Sequence, residues 1–258
     1  MMHRRPWLPL AATTTILFLY LPIAVLVVFS FNASRLSSRW QGFTLDWYRM
    51  LLQDQALLAA TFNSLLVAAV STIVALVLGV MAALGLERLS VRHQSVVEGA
   101  ILLPLIIPEI MMGVALMLLF VMIRMPLSLT TVVIGHVVFN LPLVIVIVRT
   151  RLRKVDPRLI EAAQDLGADT WQVFRRVTEP LIRPAVIGAG LMALTVSLDD
   201  FIVTFFLAGP GATTLPLKVY SMIKAGLSPE INALSAVIVL GSMSLMALSL
   251  LIQRRAFS

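Results

Sequence analysis

An all-α integral membrane protein with about six transmembrane helices is the fold class the sequence predicts. Three observations carry it: a composition too apolar for a wetted surface, six long apolar stretches, and basic residues gathered between alternate pairs of them. Of 258 residues, 59% are hydrophobic and only 13% are charged. One soluble core cannot bury that much apolar surface and still clothe itself in polar groups, so lipid must cover much of the chain.

The apolar stretches run over residues 8–30, 61–86, 99–123, 130–148, 185–207 and 233–252. Each reaches the length that a hydrocarbon layer of about 30 Å demands. The first follows Arg4 and Arg5, yet it exceeds the apolar region of a signal peptide and lacks an Ala-x-Ala exit, which predicts a retained helix. Short loops rich in Lys and Arg stay in the cytoplasm. The N-terminus, the loop 87–97, the segment 149–183 and the tail with Arg254 and Arg255 hold fourteen of the twenty Lys and Arg. Both termini are therefore expected in the cytoplasm, as an even number of helices requires. The chain reads as one membrane domain, 1–258, with a long cytoplasmic loop, 151–184, inside it.

The net charge of +7 is a topology signal and not a nucleic-acid footprint, because eight of the basic residues fall in one juxtamembrane loop. Absence of cysteine removes disulfides, thiol catalysis and most zinc cages. His3, His93 and His136 have no second ligand at helical spacing, and no Walker-type glycine loop or nucleophile elbow occurs. His136 lies in the fourth stretch, where a hydrogen-bonded packing role is expected. Asn32-Ala33-Ser34 matches a glycosylation sequon, a pattern too short to carry weight. No catalytic, cofactor or metal site is expected in this chain.

The loop 151–184 carries helix punctuation. Asp156 is a good N-cap with Pro157 at the first helical position, residues 158–166 follow, and Gly167 supplies a left-handed C-cap. Asp169 or Thr170 then caps a second helix on which Trp171, Phe174 and Val177 recur at helical spacing beside Arg175 and Arg176. Pro180 and Pro184 are expected to break the chain before it re-enters the membrane. Periodicity alone leaves two readings open: Leu159, Ile160, Trp171 and Phe174 pack on the chain's own helix ends, or they await a partner.

The string Glu161-Ala162-Ala163-Gln164-Asp165-Leu166-Gly167-Ala168, with Phe174 and Pro180 downstream, resembles the EAA-loop signature of ABC importer permeases. That family often has Leu-Pro where this chain has Glu179-Pro180. The resemblance implies a coupling helix seated in a groove of an ATPase subunit, with Glu161, Ala162, Ala163, Asp165, Gly167, Ala168, Trp171 and Phe174 as the coupling residues. Nearly the whole chain is similar to the second permease subunit of spermidine/putrescine importers. Strings that carry this are Ser30 to Ser34, Trp40 to Thr44, Trp47-Tyr48, Pro108-Glu109-Ile110, Leu198-Asp199-Asp200, Gly209 to Pro216, Leu217 to Met222 and Ser228 to Leu234. The resemblance implies a type I ABC importer permease in the bacterial inner membrane. It further implies a heterodimer with a sister permease, two ATPase copies carrying ATP and Mg, and an extracytoplasmic binding protein. Importers for ferric iron or other small solutes share much of the pattern.

Buried carboxylates cost about 2.5–3.5 kcal/mol on membrane-insertion scales and so usually face a bundle interior or an aqueous path. In the fifth stretch Thr195, Ser197, Asp199, Asp200 and Thr204 fall on one half of a helical wheel. Leu191, Leu194, Leu198, Phe201, Ile202 and Phe205 fill an opposing sector. With Glu109 in the third stretch, the spans hold three acids and no base, which suits a path for a cation such as a polyamine. Glu109, Asp199, Asp200 and Thr204 are the candidate path residues; bracing of the bundle by the same carboxylates is the alternative. A secondary transporter would need no docking loop, and an intramembrane protease built on Glu109 and His136 would lack ligand spacing and a nucleophile.

Overall fold

The computed structural model describes residues 7–34, 39–226 and 228–256. His3, Arg4 and Arg5 lie outside them. Among the described residues the chain is helical, with a single isolated antiparallel bridge between Asn32 and Phe43. It divides into two compact units, one of residues up to 58 with those from 219 onward, the other of residues 59–218.

In the first unit, α1 (Trp7–Phe29) and α2 (Asp46–Gln53) both pack on the last helix, Pro229–Ala256. The loop between α1 and α2 is held by Asn32. Its buried side chain donates to the Arg39 carbonyl at 2.7 Å and accepts from the Gln41 amide at 2.9 Å, and its own carbonyl accepts from Trp47 Nε1 at 2.8 Å. An amide with those bonds is a structural strut, and the sequon has no exposed acceptor to offer.

The second unit begins within α3 (Gln55–Leu86) and continues through α4 (Val91–Ile106), α5 (Glu109–Met122) and α6 (Leu129–Leu152). Next come α7 (Pro157–Asp165), α8 (Thr170–Val173), a five-residue π-helical turn (Phe174–Thr178), α9 (Glu179–Asp199) and α10 (Ile202–Leu207). Helices α11 (Leu215–Ala225) and α12 (Pro229–Ala256) complete the chain. α6 packs along α9, and α10 packs on α5 and α6. The seam is built on small residues: Ala75, Ala83, Ala189 and Ala193 are buried with Val144, Val148 and Ile182. Without a hydrophobic drive between helices in lipid, close backbone approach is what such residues contribute. At Gly79 even a Cβ would overlap the Val144 side chain.

Four helical segments are long and apolar enough to cross a membrane: Pro9–Phe29, Gln55–Leu86, Leu129–Leu152 and Thr170–Asp199. The bent pair Arg92–Ile106 and Glu109–Met122 makes a fifth if it is one span. The sixth expected stretch lies in α12, whose described apolar part is Pro229–Gly241. The chain is thus a multi-pass, all-helical membrane protein.

Three expectations need correction. The third stretch is not one straight helix, because α4 and α5 meet at 103°. Pro108 has no N–H and disfavours helical backbone at Ile107, which sits at φ −70°, ψ 133°. The fifth stretch likewise stops at Asp199, with Asp200 extended at φ −66°, ψ 123°, so the wheel drawn across residues 191–205 spans two helices. Pro180 and Pro184, by contrast, do not break the chain. The π turn lets the Glu179 amide reach the Phe174 carbonyl, which shifts the register just where Pro180 has no N–H to give, and helix runs on from Thr170 to Asp199.

Candidate functional site

The loop 151–184 is set by local bonds. Asp156 caps α7 by accepting from the Arg158 amide at 3.0 Å, with Pro157 at the first helical position. At the other end Gly167 stands at φ +83°. Its amide donates to the Gln164 carbonyl at 2.8 Å, and the Ala168 amide to the Ala163 carbonyl at 3.0 Å. That pair of bonds is a Schellman closure, which needs a residue without Cβ penalty at Gly167. Asp169 then caps α8, accepting from the Gln172 amide at 2.8 Å while the Gln172 side chain accepts from the Asp169 amide.

This framework presents Glu161, Ala162 and Asp165 to solvent, half-buries Ala163 and Ala168, and leaves Leu166 90% and Trp171 64% exposed. Phe174 is half-buried against Trp171, ring centres 5.6 Å apart. Behind the hairpin lies a mostly apolar groove of about 720 Å³ between it and Met81, Leu84 and Leu152. Ile160, Phe174 and one side of Trp171 line the groove, so these apolar groups pack at least partly on the chain itself, while Leu159 and Leu166 stay exposed.

At the α9–α10 break the two aspartates part. Asp199 is exposed. Asp200, with its side chain 7% exposed, caps α10: it accepts from the Val203 amide at 3.2 Å and from both the Thr204 amide and hydroxyl at 2.9 Å. His136 closes this node from α6. Its Nε2 lies 3.1 Å from Asp200 Oδ2 and 3.0 Å from Thr204 Oγ1, and its Nδ1 lies 2.6 Å from Ser197 Oγ, which also meets Ser71 of α3 at 3.2 Å. Because the Thr204 hydroxyl already donates to Asp200, Nε2 must carry a proton to satisfy both neighbours. Glu109 is exposed in the first turn of α5, beside the bend. Among the described residues no three His, Asp or Glu side chains gather as a metal-holding group.

The sequence marked Asp199, Asp200, Thr204 and His136 but not what joins them. Ser71 was missed, although a serine at helical spacing in an apolar span is the signal that could have found it. A second cluster was also missed. Arg149, buried in the last turns of α6, bonds Glu87 through Nε at 2.6 Å and meets Glu98 through Nη1 at 2.6 Å, with Arg153 3.4 Å from Glu87. These pairs tie the α3–α4 connection to α6, and the excess of basic residues in loops hid the two acids that balance them.

Comparison with known proteins bears on what such an arrangement is for. Residues 75–256 match the family described as binding-protein-dependent transport system inner membrane component. The chain is 39% identical over 237 residues to the spermidine/putrescine transport system permease protein PotC of Escherichia coli K12, covering 92% of this chain and 90% of that one. It is also 39% identical over 249 residues to the putrescine transport system permease protein PotI of the same strain, covering 94% and 88%. Its fold is that of a chain in the crystal structure of a bacterial ABC transporter involved in import of the acidic polysaccharide alginate. There the TM-score is 0.76 at 17% identity, covering 98% of this chain and 96% of the other.

Proposed function

The chain belongs to the binding-protein-dependent transport system inner membrane components, and from that premise we propose that it is the permease subunit of an ATP-driven, type I ABC importer that moves a polyamine, spermidine or putrescine, across the bacterial inner membrane. The exposed apolar patch of Leu159, Leu166 and Trp171, on a turn fixed by its own backbone bonds, is the observation that carries this reading. Apolar groups of that size held out in water on a rigid hairpin are expected to fill a pocket in a partner. The partner is an ATPase, present in two copies that bind ATP and Mg; a sister permease completes the pore, and an extracytoplasmic binding protein delivers the solute. Six spans with both termini cytoplasmic fit this assembly, as do the basic loops.

Coupling runs along one element. Helix is unbroken from Thr170 to Asp199, about 45 Å at 1.5 Å per residue, so a displacement of the α7–α8 hairpin reaches the break at Asp199 without crossing a loop. At that end Asp199 offers an exposed carboxylate to a cationic solute, and Glu109, exposed in the first turn of α5, is a further candidate. The names of relatives 39% identical over 92% and 94% of the chain support the polyamine assignment. Chemistry is left to the ATPase; this chain is a transport component and hydrolyses nothing.

The test is uptake of labelled spermidine and putrescine into liposomes by the purified complex. Saturable, ATP-dependent uptake competed by the unlabelled polyamines is expected, with none from this chain alone. Uptake of another solute with polyamines ignored would overturn the substrate, and polyamine uptake by the chain without its partners would overturn the importer reading.

A further inference from the structure

We propose that His136 is a positioning residue for Asp199, acting as a clamp across the α9–α10 break; this rests on Asp199 being part of the solute path. A single imidazole bonds both sides of the interruption. On the α9 side, Nδ1 meets Ser197 two residues before Asp199, and on the α10 side Nε2 meets Thr204 and the capping carboxylate of Asp200. The ring itself is fixed on α6, 3% exposed. Between those anchors lie Leu198 and the exposed carboxylate of Asp199.

This arrangement determines where Asp199 points. An interrupted helix has two soft residues at the break, here Asp200 and Phe201 at φ −108°, ψ −40°, and nothing in the backbone ladder fixes the angle between its halves. Ser197 and Asp199 share the last turn of α9, so a bond at Ser197 fixes the rotation of that turn. The Thr204 and Asp200 bonds fix the start of α10 in the same way. Because both meet on one rigid aromatic ring, the two halves are held in a single relation while the Asp199 side chain stays clear. A brace could be made from either contact alone; bonding both sides through one ring is what a clamp requires.

Removing the imidazole outright would strand the Asp200 carboxylate in a buried site, so the informative variant is His136→Gln. Its terminal amide can donate to Asp200 and Thr204, but its chain has no acceptor where Nδ1 meets Ser197. The experiment measures polyamine uptake by the reconstituted complex against concentration of the loaded binding protein, normalised to assembled complex. It compares wild type, His136→Gln, Asp199→Asn and the double variant. His136→Gln is expected to lower the maximal rate at least threefold, with half-saturation changed less than about twofold. The double variant is expected to be no slower than Asp199→Asn, because a clamp has nothing to position once the charge is gone. Wild-type turnover in His136→Gln, or losses that multiply in the double variant, would overturn the clamp while leaving the path reading standing. Wild-type turnover in Asp199→Asn would overturn the path reading, and the clamp with it.

Discussion

At the residue scale, the adjacent acids Asp199 and Asp200 answer to different demands. Both are carboxylates in an apolar stretch, and a helical wheel puts them on one polar half. The structure instead spends every acceptor of Asp200 on α10 and His136 and leaves Asp199 exposed. Periodicity could not separate them, because it assumes the continuous helix that the Asp200 cap interrupts. Asn could not keep the bonding of the carboxylate at Asp200. An amide NH₂ in place of Oδ1 faces the Val203 amide, and in place of Oδ2 it faces the Thr204 amide, so donor meets donor either way. Asp200→Asn is expected to cost about 1–3 kcal/mol from the unsatisfied buried groups, read as a drop in thermal midpoint of the detergent-solubilised complex, whereas Asp199→Asn leaves the midpoint unchanged. Equal midpoints for the two variants would mean that the cap is not what holds Asp200.

At the element scale, the ends of α7 and α8 were legible and the middle of the next helix was not. Asp156, Pro157, Gly167 and Asp169 are residues whose local chemistry dictates a cap, and each stands where that chemistry puts it. Pro180 was read as a stop because a proline inside a regular α-helix loses a bond and clashes one turn back. A π turn removes that conflict by widening the turn, and no local residue pattern announces one. The bend at Pro108 carried a signal, the restriction on Ile107, that the length of the apolar run outweighed. Gly167→Val isolates the turn. No atom lies within 4 Å of where a Cβ would be, so the cost is backbone conformation alone, about 1–2 kcal/mol for a left-handed residue and more for a branched one. Membrane level should hold while co-purified ATPase and uptake fall together, and full ATPase retention with full uptake would separate this turn from docking. The Arg149 cluster gives a contrasting case. Arg149→Met leaves Glu87 and Glu98 partly exposed and able to reach water, so a modest loss of about 1 kcal/mol is expected, seen as a small fall in thermal midpoint with uptake retained.

At the scale of the whole molecule, composition already required a chain largely covered by lipid, while the periodicity of the loop left open whether it docks to a partner. What composition could not supply is how the second unit is joined. Small residues in α3 and α9 bring those helices against Val144 and Val148 of α6, His136 with Ser71 and Ser197 pins them at one level, and Arg149 with Glu87 pins the α3–α4 connection at another. The proposed coupling surface lies largely outside that frame: Leu159 and Leu166 stay exposed, Trp171 keeps 64% exposure beside Phe174, and Arg153 and Lys154 before α7 and Arg158 in its first turn are exposed. Covering this surface is left to assembly, since apolar groups of that size contribute their burial only when a partner removes the water. Limited trypsin digestion reads this directly, because Arg153 and Lys154 sit in the short turn between α6 and α7, where backbone is open to a protease. The isolated chain in detergent is expected to be cut there within the first minutes of digestion. The complete importer should resist at least about tenfold longer at the same enzyme ratio, as expected for a site whose opening is coupled to dissociation of the partner. Trp171→Ala should weaken that protection by releasing the ATPase, while cleavage in the isolated chain stays as it was. Equal cleavage rates with and without the ATPase would show that the hairpin is not the surface it covers.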